Sequence, residues 1–430
     1  MMSVIRSLNS INKTIFAALA VLLPSQALCQ PGLEECISMA YGNYPQIEEY
    51  NLIETSRKYD LSNAAMVWIP QLSISGSAKW QSDVVEMPFE MPGFEFNIPH
   101  DQYGVTADLT QQIWDGGATG IKRKLVDAGA DVKSKQLDVN LYSIRSTVQN
   151  VYLGIVLIDR QLELNDLLKA SLERSLEEVT ALVNAGVAYE SDKDQIKVNL
   201  LSCEQQNVSL LTDRKAYVKM LSLLTGSEIS PNGEFRAPSI ARTLATEVNR
   251  PELALYDAQT KQAQLQRDQI GAGLSPRLNL NLQAGYGRPG LNMLSGEFDT
   301  YLVAGLKLQW NIGNFYTLHN DRAKADANAR SIELARSSFL LNTSIEAAQK
   351  QSEIDKAADV LARDEEIITL RENIRKTAEL QYKEGILKMN DYLNMLDEEF
   401  KARLNYDVHD VQYMMALYDL QNTLGTPDNQ

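Results

Sequence analysis

The sequence predicts a mainly α-helical chain with a smaller β-barrel part, built twice from one unit. Three observations predict this fold class: landmarks recur at a nearly constant spacing, alternating strands occur in pairs, and proline-free stretches of about 70 residues follow each pair. Glycine (23) and proline (13) are scarce among the 430 residues, which favours long helices. Each unit is therefore predicted to contain a two-stranded β-hairpin and a long helical hairpin.

The composition excludes two classes of protein. The chain carries 56 acidic and 41 basic side chains, a formal net charge of −15, whereas a nucleic-acid-binding surface needs a basic face. A membrane-spanning helix needs ~20 consecutive apolar residues, and the sequence contains only one short apolar run. We therefore expect neither a nucleic-acid partner nor a bundle of membrane-spanning helices.

Residues 1–29 have the pattern of a secretory signal peptide. Arg6 and Lys13 supply a positive segment, an apolar core follows, and a cleavage pattern ends at Cys29. A lipid-modified Cys29 is the alternative, although Leu28 is larger than the residue that a lipid-attachment motif prefers at that place. The apolar core is too short to span ~30 Å of hydrocarbon. The sequence therefore predicts export from the cytoplasm.

The rest of the chain is predicted to form two repeats, 30–238 and 239–430. Each opens with a helical stretch (33–66 and 247–273) that a proline ends. Landmarks of the first repeat recur about 200 residues later. The matched pairs are Asn43/Asn249, Pro45/Pro251, Pro70/Pro276, Gly116/Gly313, Gly186/Gly385, Asp192/Asp391 and Gly226/Gly425. Their common order indicates an internal duplication.

A β-hairpin is predicted in each repeat, at about 70–114 and about 276–312. Apolar and polar side chains alternate in its strands, as in Leu72, Ser73, Ile74 and Ser75. Aromatic side chains stand near the strand ends: Trp80, Tyr103, Trp114, Tyr286, Tyr301 and Trp310. This pattern is typical of membrane-spanning strands with aromatic residues at the membrane interface. A hairpin half-buried in a soluble domain shows the same alternation.

Long helical hairpins are predicted at about 117–226 and about 314–425. In the first of them, Leu137, Leu141 and Ile144 follow the alternating spacing of a coiled coil. Turns at Gly186 and Gly385 separate each long helix from a shorter one.

The segment Asp115-Gly116-Gly117 is predicted to be the turn from strand to helix, where glycine permits a positive φ. No lysine followed by serine or threonine comes directly after it, as a phosphate-binding loop requires.

Four membrane-type strands cannot form a closed barrel in one chain. An open sheet leaves unpaired backbone groups at its edges, and each of these groups costs several kcal/mol in hydrocarbon. Closure therefore requires several protomers, with two giving eight strands and three giving twelve. The strand pattern alone does not choose between them.

The chain resembles the TolC-like outer membrane efflux proteins over nearly all of the sequence after residue 29. The resemblance is carried by the Asn-x-Pro pairs, the Pro-x-Leu strand openers, Trp114-Asp115-Gly116-Gly117, and glycine followed six residues later by aspartate. It implies a homotrimer whose twelve-stranded barrel lies in the cell outer membrane and continues into a periplasmic α-helical tunnel. It also implies docking to an inner-membrane pump through a periplasmic adaptor, or membrane fusion protein.

The family has its gate at the periplasmic helix tips, near the two glycine turns. The residues that the resemblance places there are Gly186, Asp192, Tyr382, Gly385, Asp391 and Asn394. Asn394 stands where the family often has a second acidic residue, and Leu387 stands where a basic residue is common. In the alternative interpretation, Asp192 and Asp391 complement the helix dipole in the first turn of a helix.

The predicted function is therefore a passive exit duct of a tripartite efflux or type I secretion system, with most of the chain in the periplasm. A periplasmic coiled-coil scaffold or adaptor is the alternative. Catalysis, cofactors and metal sites are not predicted, because His100, His319 and His409 are isolated in sequence. Gly271-Ala272-Gly273 precedes a strand, the reverse of the order in a dinucleotide-binding motif.

Overall fold

A computed structural model describes residues 31–84, 99–240, 247–293 and 296–425. The predicted signal peptide, with Cys29, lies outside the described residues. Within them the chain is mostly helical, with one four-stranded sheet. None of the described helices has the length and apolar content needed to cross a membrane.

The helices are α1 (Leu33–Asn43), α2 (Glu49–Ala65), α3 (Ala118–Asn184), α4 (Glu190–Thr225), α5 (Pro251–Ala272), α6 (Asn314–Lys383) and α7 (Met389–Leu424). The strands are β1 (Gln71–Trp80), β2 (Asp101–Trp114), β3 (Arg277–Arg288) and β4 (Asp299–Gln309). Short 3-10 turns occupy Pro45–Glu48 and Met66–Trp68. The helices α3 and α6 have 67 and 70 residues, which agrees with the scarcity of proline and glycine in these segments.

The described residues group into two compact units. The first unit contains 31–44, 143–240 and 347–422, and the second unit contains 45–142, 247–293, 296–346 and 423–425.

Proline divides the first helical stretch, which the sequence predicted as continuous over 33–66. Helix α1 ends at Asn43, and Tyr44 is extended with φ −69° and ψ 124°. A residue that precedes proline is disfavoured in the α conformation, so Pro45 forces this break. In α5, by contrast, Pro251 stands at the first helical position, where its missing N–H costs no hydrogen bond.

The sheet has the order β1-β2-β3-β4, and every neighbouring pair is antiparallel. Its central pair, β2 with β3, joins strands far apart in sequence. One row across the sheet runs Ser73, Asp108, Gln283 and Val303. Because side chains directly opposite each other share a face, this row belongs to the polar face of the sheet.

A β-bulge changes the side on which Trp114 lies. The register of β2 against β3 shifts between Gln112, opposite Asn279, and Trp114, opposite Leu278. Simple alternation would place Trp114 on the face of Gln112. The extra residue, Ile113, instead puts Trp114 on the apolar face with Leu278.

Tyr301 lies on the opposite face from the one predicted for a membrane-interface aromatic residue. It pairs with Gly285, and a Cβ atom at Gly285 would overlap the Tyr301 ring. Gly285 belongs to the polar face, two residues from Gln283. Successive side chains of a strand point to opposite faces, so Tyr301 lies on the polar face while Leu302, the next residue of β4, lies on the apolar face.

The core of the first unit lies where four helices meet. Side chains from α3, α4, α6 and α7 form a buried apolar cluster, which we name the tip cluster. Its fully buried members are Leu172, Val179, Ile196, Cys203, Ala378, Met389, Tyr392, Leu393 and Leu396.

Candidate gate at the helix tips

Two glycine turns of the same geometry connect the long helices to the shorter ones. Gly186 and Gly385 both have φ +74°. The N–H groups of Gly186 and Val187 donate to the carbonyls of Val183 and Leu182, each at 2.9 Å. These are the two hydrogen bonds of a Schellman motif. A Cβ atom at either glycine would meet no atom within 4 Å. The turn therefore requires glycine because of the positive φ, and not because a larger residue would clash with its neighbours.

The carboxylate of Asp192 caps helix α4. Its Oδ2 accepts a hydrogen bond from the N–H of Tyr189 at 3.2 Å, and the N–H of Asp192 donates to the Tyr189 carbonyl at 3.1 Å. This geometry supports the helix-capping interpretation for Asp192.

Asp391 has a different environment in the first turn of α7. Its backbone N–H donates to the carbonyl of Lys388 at 3.1 Å, and its side chain is half-buried. Within the described residues, no hydrogen bond or ion pair engages its carboxylate. Asn394, one turn later, is exposed. The Asp391 carboxylate is therefore available to a mobile cation.

The structure brings Tyr382 close to Asp192, which belongs to the other predicted tip. Tyr382 packs against the tip cluster, and its ring stacks on Tyr392 with centroids 5.7 Å apart and an interplanar angle of 14°. Burial raises the pKa of Tyr382, and the negative charges of Asp192 and Glu178 raise it further. Both tyrosines therefore stay neutral at physiological pH and act as packing groups.

Leu387 also packs against the tip cluster. The position where the family often has a basic residue thus serves apolar packing here.

Charged groups that sequence reasoning missed join the helices near the tips. Lys383 Nζ lies 3.0 Å from Glu379 Oε1 and 4.0 Å from Glu178 Oε1, which links α6 to α3. The hydrogen bond that Lys383 donates to Glu379 raises the pKa of Lys383. The four-residue spacing of Glu379 and Lys383 signals their ion pair, whereas nothing in the sequence signals the contact with Glu178.

A buried carboxylate ties α6 to α7. Glu399 is 7% exposed and accepts hydrogen bonds from Arg375 Nε at 2.8 Å and from Arg403 Nη2 at 2.8 Å. A buried charge is costly without partners, and Arg375 of α6 supplies one across the helix pair. Arg403, on α7 like Glu399, also donates to Glu372 of α6 at 3.2 Å, so both guanidinium groups join the two helices at this level.

A cavity of about 520 Å³ opens between α3, α4 and α7 in the first unit. Amide and charged side chains line it, among them Asn165, Asn199, Gln206, Asn394, Asp397 and Lys401. Asn165 is buried and donates to the Cys203 carbonyl at 3.0 Å, so its orientation is fixed.

The segment Asp115-Gly116-Gly117 forms a tight turn in the second unit. The Asp115 carboxylate, 6% exposed, accepts hydrogen bonds from the N–H groups of Gly117 at 2.9 Å and Thr119 at 2.6 Å. Burial raises the pKa of Asp115, but these hydrogen bonds outweigh it and lower the pKa below its usual value. Gly116 and Gly117 have φ +67° and +88°. The role of Asp115 is therefore to cap α3.

His409, isolated in the sequence, has a partner in the fold. Its Nδ1 lies 2.6 Å from Oδ2 of the buried Asp364, across the α6–α7 pair. In the part of the chain that the structure describes, no group of three or more His, Cys, Asp or Glu residues is arranged to hold a metal ion.

Comparison with known proteins gives a family match over part of the chain and shows the fold of the whole. Residues 36–227 match the family described as outer membrane efflux protein. No curated relative matches the sequence. The Campylobacter jejuni CmeC outer membrane channel is a similar structure, with a TM-score of 0.63 and 14% identity over 91% of this chain and 85% of that chain.

Two further solved structures are similar. VceC, an outer membrane protein of Vibrio cholerae, has a TM-score of 0.63 and 15% identity, covering 92% of this chain and 97% of that chain. The open state of the Neisseria gonorrhoeae MtrE outer membrane channel has a TM-score of 0.65 and 15% identity, covering 92% and 89%.

The fold is thus that of the outer membrane channels. The resemblance to the TolC-like outer membrane efflux protein family, predicted from the sequence, is confirmed.

Proposed function

We propose that this chain is the outer membrane channel-tunnel of an efflux system. In this proposal it is a passive exit duct for substrates that an inner-membrane pump delivers through a periplasmic adaptor, in a tripartite or type I secretion arrangement. The observation that carries the proposal is the two-faced sheet, apolar on one side, polar on the other, and open at both edges.

The apolar face of the sheet supports a position in lipid. Leu72, Ile74, Leu302 and Leu306 are each about two-thirds exposed, at 65%, 72%, 67% and 69%. Such a continuous apolar surface is typical of a membrane or protein contact. The alternation of strand side chains leaves Ser, Thr, Asn and Gln on the other face, as in a water-filled barrel lumen.

The sheet edges support self-association. Strands β1 and β4 each have one neighbour in the sheet, and an open edge in hydrocarbon leaves backbone groups unpaired. We propose closure by three copies into a twelve-stranded barrel, because the family resemblance implies a homotrimer.

Exposed apolar residues on the long helices also support contacts with further copies. Helix α4 carries Val198, Leu201 and Val208, and helix α6 carries Leu334 and Leu341. The seven-residue intervals from 201 to 208 and from 334 to 341 place these residues on one stripe of each helix.

Within this duct, the tip residues are proposed to form the periplasmic gate. The Tyr382–Tyr392 stack and the Lys383–Glu178 contact support this assignment, because both join helices beside the two glycine turns. Asp391 is proposed to attract cations at the gate, since its carboxylate is half-buried and available.

Membrane fractionation and bilayer recording test the proposal together. We expect the full-length protein in the outer membrane fraction, as a species three times the protomer mass in detergent. Reconstitution into planar bilayers should give discrete conductance steps. Recovery in the soluble periplasmic fraction, with no conductance, would support the scaffold or adaptor alternative and reject the channel.

A further inference from the structure

Asp108 presents an oriented carboxylate on the polar face of the sheet. It lies in the middle of β2 and is half-exposed. Its Oδ1 accepts a hydrogen bond from Gln283 Nε2 at 2.6 Å, and its Oδ2 accepts one from Thr106 Oγ1 at 3.1 Å. Each oxygen keeps a second lone pair. The carboxylate is therefore held in place and can still bind a cation.

An aromatic ring lies on the same face, one row away. Tyr301 of β4 packs over Gly285 of β3, in the space that a side chain at this position would fill. Gly285 in turn pairs with Thr106 of β2. Since neighbouring strands are ~4.8 Å apart, a ring that covers Gly285 approaches the Thr106–Asp108 edge. The missing side chain at Gly285 is what allows the ring to lie over the row next to that of Asp108.

Positive side chains on the polar face lie further away. Lys307 pairs with Asn279, four residues along β3 from Gln283, which corresponds to roughly 13 Å. Lys79 pairs with Gln102 near the other end of the sheet. Asp108 is thus not neutralised by either lysine. Its hydrogen-bond partners are a hydroxyl and an amide, and the ring of Tyr301 lies over the adjacent row of the same face.

We infer that Asp108 and Tyr301 form a binding site for organic cations on the polar face of the sheet. A carboxylate supplies the charge, and the face of an aromatic ring attracts quaternary and alkylammonium groups. The inference rests on the proposed function, because only in a closed barrel does this face line the path of a substrate. It assigns to the barrel a preference for organic over inorganic cations, which the carboxylate of Asp391 at the proposed gate does not supply.

Equilibrium binding of benzyltrimethylammonium to the detergent-purified, full-length protein tests the site. Asp108→Asn removes the charge, and Tyr301→Leu removes the ring while preserving an apolar side chain. We expect each substitution to weaken binding by about threefold to tenfold. Tyr301→Phe should bind as the wild type does. Tyr286→Leu is the matched control, because it removes an aromatic ring from the opposite, apolar face of β3.

A further variant distinguishes the loss of the site from a folding defect. Gly285→Ala leaves both binding groups in the chain but displaces the ring, and it should weaken binding as Tyr301→Leu does. Wild-type affinity in either Asp108→Asn or Tyr301→Leu would overturn the inference, as would an equal loss in Tyr286→Leu. The binding assay does not depend on the conductance measurement. If the protein binds the cation but forms no channel in bilayers, the proposed function is rejected and the binding site is not.

Discussion

The rings of Tyr382 and Tyr392 stack with their centroids 5.7 Å apart, which joins the end of α6 to the first turn of α7. Tyr392 is buried in the tip cluster, so the stack anchors the residues around Gly385. A rearrangement of this turn must break the stack or carry both rings with it.

Replacing Tyr382 should loosen the proposed gate. Tyr382→Ala removes a stacked pair worth about 1 kcal/mol, together with part of the tip-cluster packing. We expect a higher open probability in single-channel recordings. Tyr189→Ala, which truncates an exposed tyrosine at the other tip, is the control and should leave gating unchanged. A closed-state lifetime equal to that of the wild type would contradict the role of Tyr382.

Replacing Asp391 should weaken the block of conductance by multivalent cations. Asp391→Asn removes a carboxylate that has no ionic partner within the described residues. Half-block by hexaamminecobalt should require a clearly higher concentration, and the block of the wild type should weaken with added salt. Asp192→Asn is the comparison, because its carboxylate is engaged in the helix cap. An unchanged block in Asp391→Asn would reject the cation site.

Substitution of either tip glycine should lower the free energy of unfolding, because of the backbone conformation that each glycine adopts. Gly186→Ala and Gly385→Ala place a Cβ in open space but at φ +74°, which costs an L-residue roughly 1–2 kcal/mol. Chemical denaturation should show a loss of this size for each. Gly120→Ala also places its Cβ in open space but lies within helix α3, so it should be neutral or stabilising by up to about 1 kcal/mol. Equal effects at all three positions would contradict the explanation.

The cap formed by Asp115 should make stability depend on pH. The folded state lowers the pKa of Asp115 below its usual value of 3.8. The stabilisation is therefore complete above that value and is lost as the pH falls through the lower folded-state pKa. Asp115→Ala should cost about 1 kcal/mol at pH 7, and the difference from the wild type should shrink at the acidic end. A difference independent of pH would show that packing, and not the charge, accounts for the cap.

Local patterns predicted the elements because each has a local physical cause. Alternation at Leu72 to Ser75 is imposed by the pleat of a strand, and the conformation at Gly186 is one that glycine adopts readily. The resemblance grouped Tyr382 with the tips, which stays a prediction; in the structure Tyr382 lies at the end of α6, where the negative charge of Asp192 raises its pKa.

Pairing between distant segments could not be predicted in the same way. The contact of β2 with β3 brings Asp108 against Gln283 across a long sequence separation. The bulge that moves Trp114 to the apolar face depends on this pairing, as does the position of Tyr301 over Gly285. The His409–Asp364 pair likewise arises only when α6 and α7 pack together.

The two open edges of the sheet must find partners before the chain aggregates. In the proposed assembly, until β1 and β4 find partners, each chain presents unpaired strand edges beside an apolar surface, a combination that promotes aggregation. Lys79 on β1 and Lys307 on β4 place a charge on each edge strand, which discourages mismatched pairing. In the proposed assembly, correct pairing of these edges competes with aggregation, and a higher concentration of unassembled chains raises the encounter rate for correct and incorrect partners alike.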